Sequence, residues 1–229
     1  MRRALESLRA EPAVQAVGLV GSLGRGDADD WSDVDLMVVV PDDQIDRFGD
    51  AAGLPGCGEV VLGFDGRHNS PRGTRSAGGQ YVIDGLPLWV DWYAYPVSRA
   101  GWATDAEVVF DRHGIPRLPD TFAEHLATGE RQPPTPKGPN AHRLLQVGLV
   151  PVAAKRIVRG ADDAARMVEF VGGRPDQDAS PAGLLEELRG VLASRSGEAP
   201  PASLAAAGAY LDLVAEALGM PSRSSPLSD

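Results

Sequence analysis

The sequence predicts a mixed α/β domain followed by a C-terminal α-helical bundle. Two apolar runs rich in β-branched residues, 16–20 and 34–40, indicate buried strands joined by a glycine-rich turn. A proline-rich stretch at 132–139 is incompatible with a helix or a central strand, and helix-forming residues dominate after it. The predicted divisions are an α/β domain at 1–118, a proline-rich linker at 119–139 and a helical domain at 140–229.

The first domain is expected to contain one small sheet with short helices. Leu5 and Leu8 lie three apart among charged residues, which indicates an amphipathic helix, and Asp84-Gly85 between two apolar runs indicates a hairpin. The segment 42–52 is compatible with a helix or a loop. The other predicted elements are a helix at 2–9, strands at 16–20, 34–40, 59–64, 80–83, 88–95 and 108–110, and a long loop at 65–79.

Four helices are expected in the second domain. Asn140 is a candidate cap for the first of them, which should break or kink near Pro151. Ser180-Pro181 is a cap and first-turn pair for the third helix. The expected spans are 141–159, 161–171, 181–193 and 203–219, with Gly160 and Gly219 as stops.

Charge and cysteine content exclude several classes of protein. The chain has 229 residues and a formal net charge of −10, which argues against a general nucleic-acid binder and favours cationic acceptors. Its single cysteine, Cys57, excludes an internal disulfide framework and a cysteine metal cluster. No run approaches the roughly 18 apolar residues of a membrane span. A cytoplasmic protein without a membrane partner is therefore expected.

The chemistry is concentrated in the turn Gly21-Ser22-Leu23-Gly24-Arg25-Gly26 and in two carboxylates, Asp33 and Asp35, at the start of the next strand. Residues two apart in a strand share a face, so the carboxylates stand side by side. A shared divalent cation would relieve their repulsion, and oxygen-only ligands favour Mg²⁺, with Mn²⁺ as an alternative. Ser22 and neighbouring backbone N–H groups are candidates to hold phosphates. Turn capping explains an isolated Asp-x-Asp, but the preceding turn favours the ligand site.

This motif resembles the signature of the DNA polymerase beta-like nucleotidyltransferase superfamily, in particular its small bacterial members and the aminoglycoside nucleotidyltransferases. The resemblance covers about residues 14–114, and only the opening motif is specific. It implies two bound metal ions, a nucleoside triphosphate as co-substrate, and Asp33 and Asp35 as catalytic metal ligands. Gly21, Ser22 and Arg25 then belong to the nucleotide-binding turn, although Arg25 could instead brace the loop against a carboxylate. Alanine is common where this chain has Gly24, a difference expected to loosen the turn.

The resemblance also implies a third carboxylate on a later strand, between apolar residues. Asp91 is the matching position, and it could be a metal ligand, the general base for the acceptor hydroxyl, or both. A charged side chain amid aromatic residues is costly to bury alone, which independently indicates that Asp91 has a partner. Lys155, in the predicted helical domain, corresponds to a lysine that contacts phosphate in related enzymes; a cation near a helix C-terminus is the alternative explanation.

Three arginines, Arg67, Arg72 and Arg75, cluster in the predicted loop of this acidic protein. They are compatible with a flap over bound phosphates, with an acceptor contact, or with an ordinary solvated loop.

The function expected from these features is transfer of a nucleoside monophosphate, AMP from ATP foremost, to a hydroxyl of a small acceptor with release of pyrophosphate. A cationic acceptor such as an aminoglycoside-type antibiotic, bound in a cleft between the domains, suits the acidic charge. The alternatives are a nucleotidyltransferase of the toxin–antitoxin type acting on protein or RNA, and a nucleotide-binding regulator without catalysis. The oligomeric state is not predicted.

Overall fold

The structure is a computed structural model that describes residues 1–49, 60–133, 139–176 and 178–220. Cys57 therefore lies outside the described residues. The chain forms two compact units. The first comprises Met1–Tyr81 with Leu88–Pro136, and the second comprises Val82–Pro87 with Lys137–Asp229.

Within the described residues, six strands form one mixed sheet in the order β3-β4-β5-β2-β1-β6. The strands are β1 Ala16–Val20, β2 Val34–Val40, β3 Val60–Asp65, β4 Arg75–Ile83, β5 Leu86–Pro96 and β6 Glu107–Asp111. β1 is antiparallel to β2 and β6, and β3 is antiparallel to β4, whereas β2 runs parallel to β5. The predicted mixed α/β class is confirmed.

The central strands are apolar on both sides because both faces of the sheet are covered. On one face, Leu36 and Trp92 pack with Leu8 of helix α1 (Arg2–Ala10) and with Phe48. Phe48 ends a 3₁₀-helix at Asp42–Phe48, which settles the choice between helix and loop for the described part of that segment. This double coverage is the reason that β1 and β2 read as nearly continuous hydrophobic runs.

The second face is covered by residues 100–115 and by a helix that the sequence assigned to the linker. Helix α3 (Phe122–Thr128) starts with a capping box in which Thr121 and Glu124 satisfy each other's backbone N–H groups. Phe122 is buried with Trp102 against the sheet. The first half of the predicted linker is thus folded, and residues 134–138 lie outside the described residues. The domain boundaries themselves stay a prediction.

The hairpin between β4 and β5 turns at Asp84 and Gly85, whose φ angles of 51° and 80° fit the predicted two-residue turn. The prediction was wrong about how β4 begins. It starts at Arg75, inside the expected loop, because its pairing with β3 uses backbone groups and does not require apolar side chains. Residues 75–79 are polar or small and lack the apolar pattern that predicts a strand, so the sequence did not indicate this pairing.

The second unit is helical, as predicted. Ser180 Oγ accepts a hydrogen bond from the Gly183 backbone N–H at 3.3 Å, and Gly160 and Gly219 have the positive φ angles of helix stops. The first helix already includes Asn140, which was expected to cap it, and it is not broken at Pro151; the alternative, a kink there, stays a prediction. The helices are α4 Pro139–Val158, α5 Ala164–Phe170, α6 Pro181–Ser194 and α7 Pro201–Ala217. None of the described helices is both long and apolar enough to cross a membrane.

Helix α2 (Gly21–Arg25) packs tightly on the end of β1 through Gly24. A Cβ atom at Gly24 would lie 2.6 Å from the Leu19 carbonyl oxygen and 2.7 Å from that of Asp105. The sequence-based expectation that glycine loosens this turn was therefore wrong. In this chain glycine allows a close approach between two pieces of backbone.

We expect Gly24→Ala to destabilise the protein by about 1–3 kcal/mol, because backbone must shift to admit the methyl group. Gly190→Ala is a matched control, since a Cβ atom at Gly190 in α6 meets nothing within 4 Å. Helix propensity predicts that this control gains up to about 1 kcal/mol. Urea denaturation of both variants tests the expectation, and a Gly24→Ala protein as stable as the wild type would contradict it.

Asp111 organises the turn that follows β6. Its carboxylate accepts hydrogen bonds from the Trp102 indole N–H at 3.1 Å and from the backbone N–H groups of His113, Gly114 and Ile115 at 2.9, 2.8 and 2.8 Å. Burial acts to raise the pKa of Asp111, but these four donors outweigh burial and hold it below the ordinary value of 3.8. His113 takes part in this turn through its backbone N–H.

Because the pKa of Asp111 is lower in the folded protein, its stabilisation is present above the ordinary carboxyl value and is lost as pH falls through the folded-state value. At neutral pH we expect Asp111→Asn to cost about 1–2 kcal/mol, a figure discounted for solvent screening of this exposed residue. The difference from wild type should shrink at acid pH. Glu107→Gln, an exposed carboxylate on the same strand, is the control; equal unfolding midpoints for both variants would contradict the assignment.

Candidate functional site

Two of the predicted site carboxylates are direct neighbours across the sheet. β2 and β5 are parallel and in a register that pairs Asp35 with Asp91. Side chains at paired positions of adjacent strands project from the same face, and neighbouring strands lie about 4.8 Å apart. Both carboxylates are half-buried, as is Asp33, which precedes the first residue of β2. The backbone ladder therefore fixes Asp35 beside Asp91.

The glycine turn lies against the first of these carboxylates. Val20 at the end of β1 pairs with Asp35, and α2 begins at the next residue. Gly21 has a φ of +62°, and a Cβ atom there would collide with Asp35 Oδ2 and lie 3.0 Å from its Cγ. Glycine is needed at this position both for its backbone conformation and for its contact with the carboxylate. Ser22 is the next residue, so its side chain also lies at the junction of β1 and α2.

A second glycine lies against the other carboxylate. A Cβ atom at Gly78 of β4 would lie 3.2 Å from Asp91 Oδ1. The pair Asp35 and Asp91 is thus flanked by Gly21 on one side and Gly78 on the other. Sequence reasoning identified Gly21 and missed Gly78, although a glycine inside a strand often marks a close approach.

Tyr93 extends the same face of β5 beyond Asp91. Burial raises the pKa of Tyr93 far above its ordinary value, and the negative charges of Asp91 and Asp35 raise it further. The ring also makes an edge-to-face contact with Phe122, with centroids 4.9 Å apart. Tyr93 therefore stays a neutral phenol at every working pH.

Arg25 pairs with a carboxylate of its own loop. Its Nε lies 3.0 Å from Asp27 Oδ2, and both side chains are largely exposed. The hydrogen bond with Asp27 is the main reason that the pKa of Arg25 is raised; burial opposes it, and Asp105 and Asp35 add smaller attractions. Of the two alternatives for Arg25, the structure shows bracing of the loop, and a nucleotide contact stays a prediction.

The three clustered arginines each form an ion pair at the surface. For Arg67 and Arg72 this arrangement favours the solvated-loop interpretation, because exposed pairs satisfy charge locally and contribute little stability, whereas Arg75 is the first residue of β4 and is less exposed. The pairs are Arg67 with Asp65, Arg72 with Glu130 and Arg75 with Asp46. Lys155 lies on α4 in the second unit and is buried. Its role as a phosphate ligand stays a prediction.

Among the residues that the structure describes, no three His, Cys, Asp or Glu side chains converge as a preformed metal site. The pair Asp35 and Asp91 nevertheless fits a divalent cation, because two half-buried carboxylates stand side by side with glycine next to each. Hard divalent cations prefer such oxygen donors and commonly complete their shell with water and substrate phosphates. Asp33 is the nearest further carboxylate along the chain.

Two cavities, of 610 and 320 Å³, are lined by other residues. The larger is bordered by Arg174 and Glu187, and the smaller by Phe64 and Arg67. Neither lining includes Asp35 or Asp91. The carboxylate pair is the better candidate site, because it places two half-buried titratable groups side by side next to the glycine turn.

A known protein family resembles the N-terminal part of this chain. The family model described as "Nucleotidyltransferase domain" matches residues 1–65. That segment contains the turn at Gly21 and both Asp33 and Asp35, and it ends before Asp91. No curated protein matches the chain. Residues 1–65 are therefore similar to a nucleotidyltransferase domain, which is consistent with the predicted resemblance to the DNA polymerase beta-like nucleotidyltransferase superfamily.

Proposed function

We propose that this protein transfers a nucleoside monophosphate, AMP from ATP foremost, to a hydroxyl group of a small cationic acceptor such as an aminoglycoside-type antibiotic. The observation that supports this most strongly is the in-register pair of Asp35 and Asp91 beside the Gly21-Ser22 turn. A nucleotidyltransferase domain implies a nucleoside triphosphate substrate. The choice of ATP, the acceptor and a role in antibiotic resistance belong to the proposal.

In the proposed reaction the acceptor oxygen attacks the α-phosphorus, a new phosphorus–oxygen bond forms, and the bond to pyrophosphate breaks. Asp91 either accepts the hydroxyl proton and then releases it to solvent, or would act as a metal ligand beside a hydroxyl whose proton passes to solvent. When bound, two divalent cations, Mg²⁺ or Mn²⁺, would stabilise charge on the attacking and leaving oxygens. Asp33, Asp35 and Asp91 are the residues that would hold them.

The glycine turn is proposed to orient the triphosphate. Ser22 has a hydroxyl and a backbone N–H at the corner where β1 ends, and Gly21 keeps that corner free of a side chain. Arg25 and Lys155 are proposed as further phosphate contacts, Arg25 in exchange for its surface pair with Asp27. Such donors act by positioning and by charge, which dominate catalysis of phosphoryl-type transfer.

A cationic acceptor is proposed because of the charge of the protein. The formal net charge of −10 attracts amino sugars and repels polyanions such as RNA.

The direct test is incubation of the purified protein with Mg²⁺, each nucleoside triphosphate in turn, and a panel of aminoglycosides with neutral polyols as matched controls. We expect pyrophosphate release and an increase of one nucleoside monophosphate in acceptor mass, seen by mass spectrometry. Mass gain on a protein or RNA, with none on the panel, would replace the small acceptor. No pyrophosphate with any acceptor class would overturn the enzyme assignment.

We expect Asp91→Asn and Asp35→Asn each to lower turnover by at least about 10²-fold, because each removes a proposed base or metal ligand. Circular dichroism should show an unchanged fold. Asp84→Asn is the matched control: Asp84 is exposed in the same hairpin at a φ of 51°, which asparagine tolerates. Full activity of the Asp91→Asn protein would remove Asp91 from the mechanism.

A further inference from the structure

Gly78 occupies a crowded position in β4. A Cβ atom there would lie 2.6 Å from Trp89 Cζ2, 3.3 Å from Trp89 Cε2 and 3.2 Å from Asp91 Oδ1. The first distance is far inside van der Waals contact, so the indole would have to move. The carboxylate oxygen would have to give way by a few tenths of an ångström.

The indole of Trp89 reaches across β4 because Gly78 has no side chain. Gly78 pairs with Phe64 on β3, and the rings of Trp89 and Phe64 are stacked with centroids 5.8 Å apart and planes inclined by 20°. The two rings therefore meet over the glycine. Trp89 is buried, with 9% of its surface exposed, so this stack is part of the packed sheet.

The same strand connects this stack to the carboxylate pair. Trp89 precedes Asp91 by two residues in β5, so both side chains project from one face. We propose that Gly78, together with the indole that it admits, is a positioning device that sets where the Asp91 carboxylate stands relative to Asp35. This inference rests on the proposed function, in which Asp91 acts on the acceptor hydroxyl or holds a cation.

A purely conformational explanation of Gly78 does not account for these contacts. Its φ angle is not in the left-handed region, and glycine in a strand interior weakens the strand. Gly63, on the adjacent strand β3, shows the contrast: a Cβ atom there would make only an ordinary contact, 3.5 Å from Val60 Cγ1. Catalytic groups must be held within about 0.5 Å of their working position. A shift of the Asp91 carboxylate by a few tenths of an ångström is therefore expected to affect its function.

The test compares Gly78→Ala with Gly63→Ala as the matched control and adds the double variant Gly78→Ala with Trp89→Phe. Phenylalanine lacks the indole atoms that the new methyl group would strike. Three readouts are collected: kcat and KM for the triphosphate, Mn²⁺ affinity without nucleotide by electron paramagnetic resonance, and tryptophan fluorescence of the metal-free protein.

For Gly78→Ala we expect kcat to fall about 10-fold or more with KM changed less than about 3-fold, because the base is displaced while the phosphate-binding turn is intact. Mn²⁺ binding should weaken and the emission maximum should shift. The Trp89→Phe change should recover most of the lost kcat and Mn²⁺ affinity. Gly63→Ala should match the wild type in every readout.

Wild-type kcat and Mn²⁺ affinity in Gly78→Ala would overturn the inference, as would a loss that Trp89→Phe does not reverse. If Gly78→Ala does not fold, Trp89→Leu in the native background removes the ring from the glycine, and wild-type Mn²⁺ affinity there overturns the inference equally. Should the wild type transfer no nucleotide, the proposed function fails, whereas the Mn²⁺ and fluorescence comparisons still decide the positioning role.

Discussion

The parallel pairing of β2 with β5 is the constraint on which the candidate site depends. It sets Asp35 opposite Asp91 although the two residues are far apart in the chain. The ladder of backbone hydrogen bonds holds them, so their separation follows from strand spacing and not from a loop conformation. β1 positions the glycine turn. Its last residue, Val20, pairs with Asp35, so Gly21 lies next to the Asp35 carboxylate.

Two half-buried carboxylates on adjacent strands repel each other. The backbone of Gly21 lies close against Asp35 and that of Gly78 close against Asp91, so a side chain at either glycine would strike a carboxylate. Burial raises the pKa of Tyr93, and the negative charges of Asp91 and Asp35 raise it further, in keeping with a negative potential at this face. Such a potential favours a cation between the carboxylates and explains how an acidic protein could bind a triphosphate: the metal, and not the protein surface, would neutralise most of its charge.

Local patterns were sufficient to predict the elements that carry the motif. The apolar runs at 16–20 and 34–40 are strands because both faces of the sheet are covered, and Asp84-Gly85 forms the hairpin turn that its residues favour. The first residues of β4 were missed because residues 75–79 are polar or small and show no apolar strand pattern, although residues 77–79 pair with β3 through the backbone. Helix α3 was missed because the nearby prolines suggested a linker, although Thr121 and Glu124 form a capping box.

The sequence predicted individual site residues, but it did not predict the pairing registers of the strands that bring them together. Asp33 and Asp35 stand out from their spacing, and Asp91 was reached through resemblance. Nothing in the sequence indicates that Gly78 faces Asp91, since that contact requires the register of three strands. For Arg25 the sequence left two roles open, a contact with nucleotide and a contact with a carboxylate. The structure shows the contact with Asp27.

The central claim is that Asp35 and Asp91 jointly hold a divalent cation for nucleotide transfer. A crystal structure of the protein with Mn²⁺ and a non-hydrolysable nucleoside triphosphate tests it most directly, because the anomalous signal of manganese locates the metal independently of the protein atoms. We expect a manganese ion bound by carboxylate oxygens of both Asp35 and Asp91, with triphosphate oxygens completing its coordination shell beside Ser22. A nucleotide bound with manganese that contacts neither aspartate would contradict it.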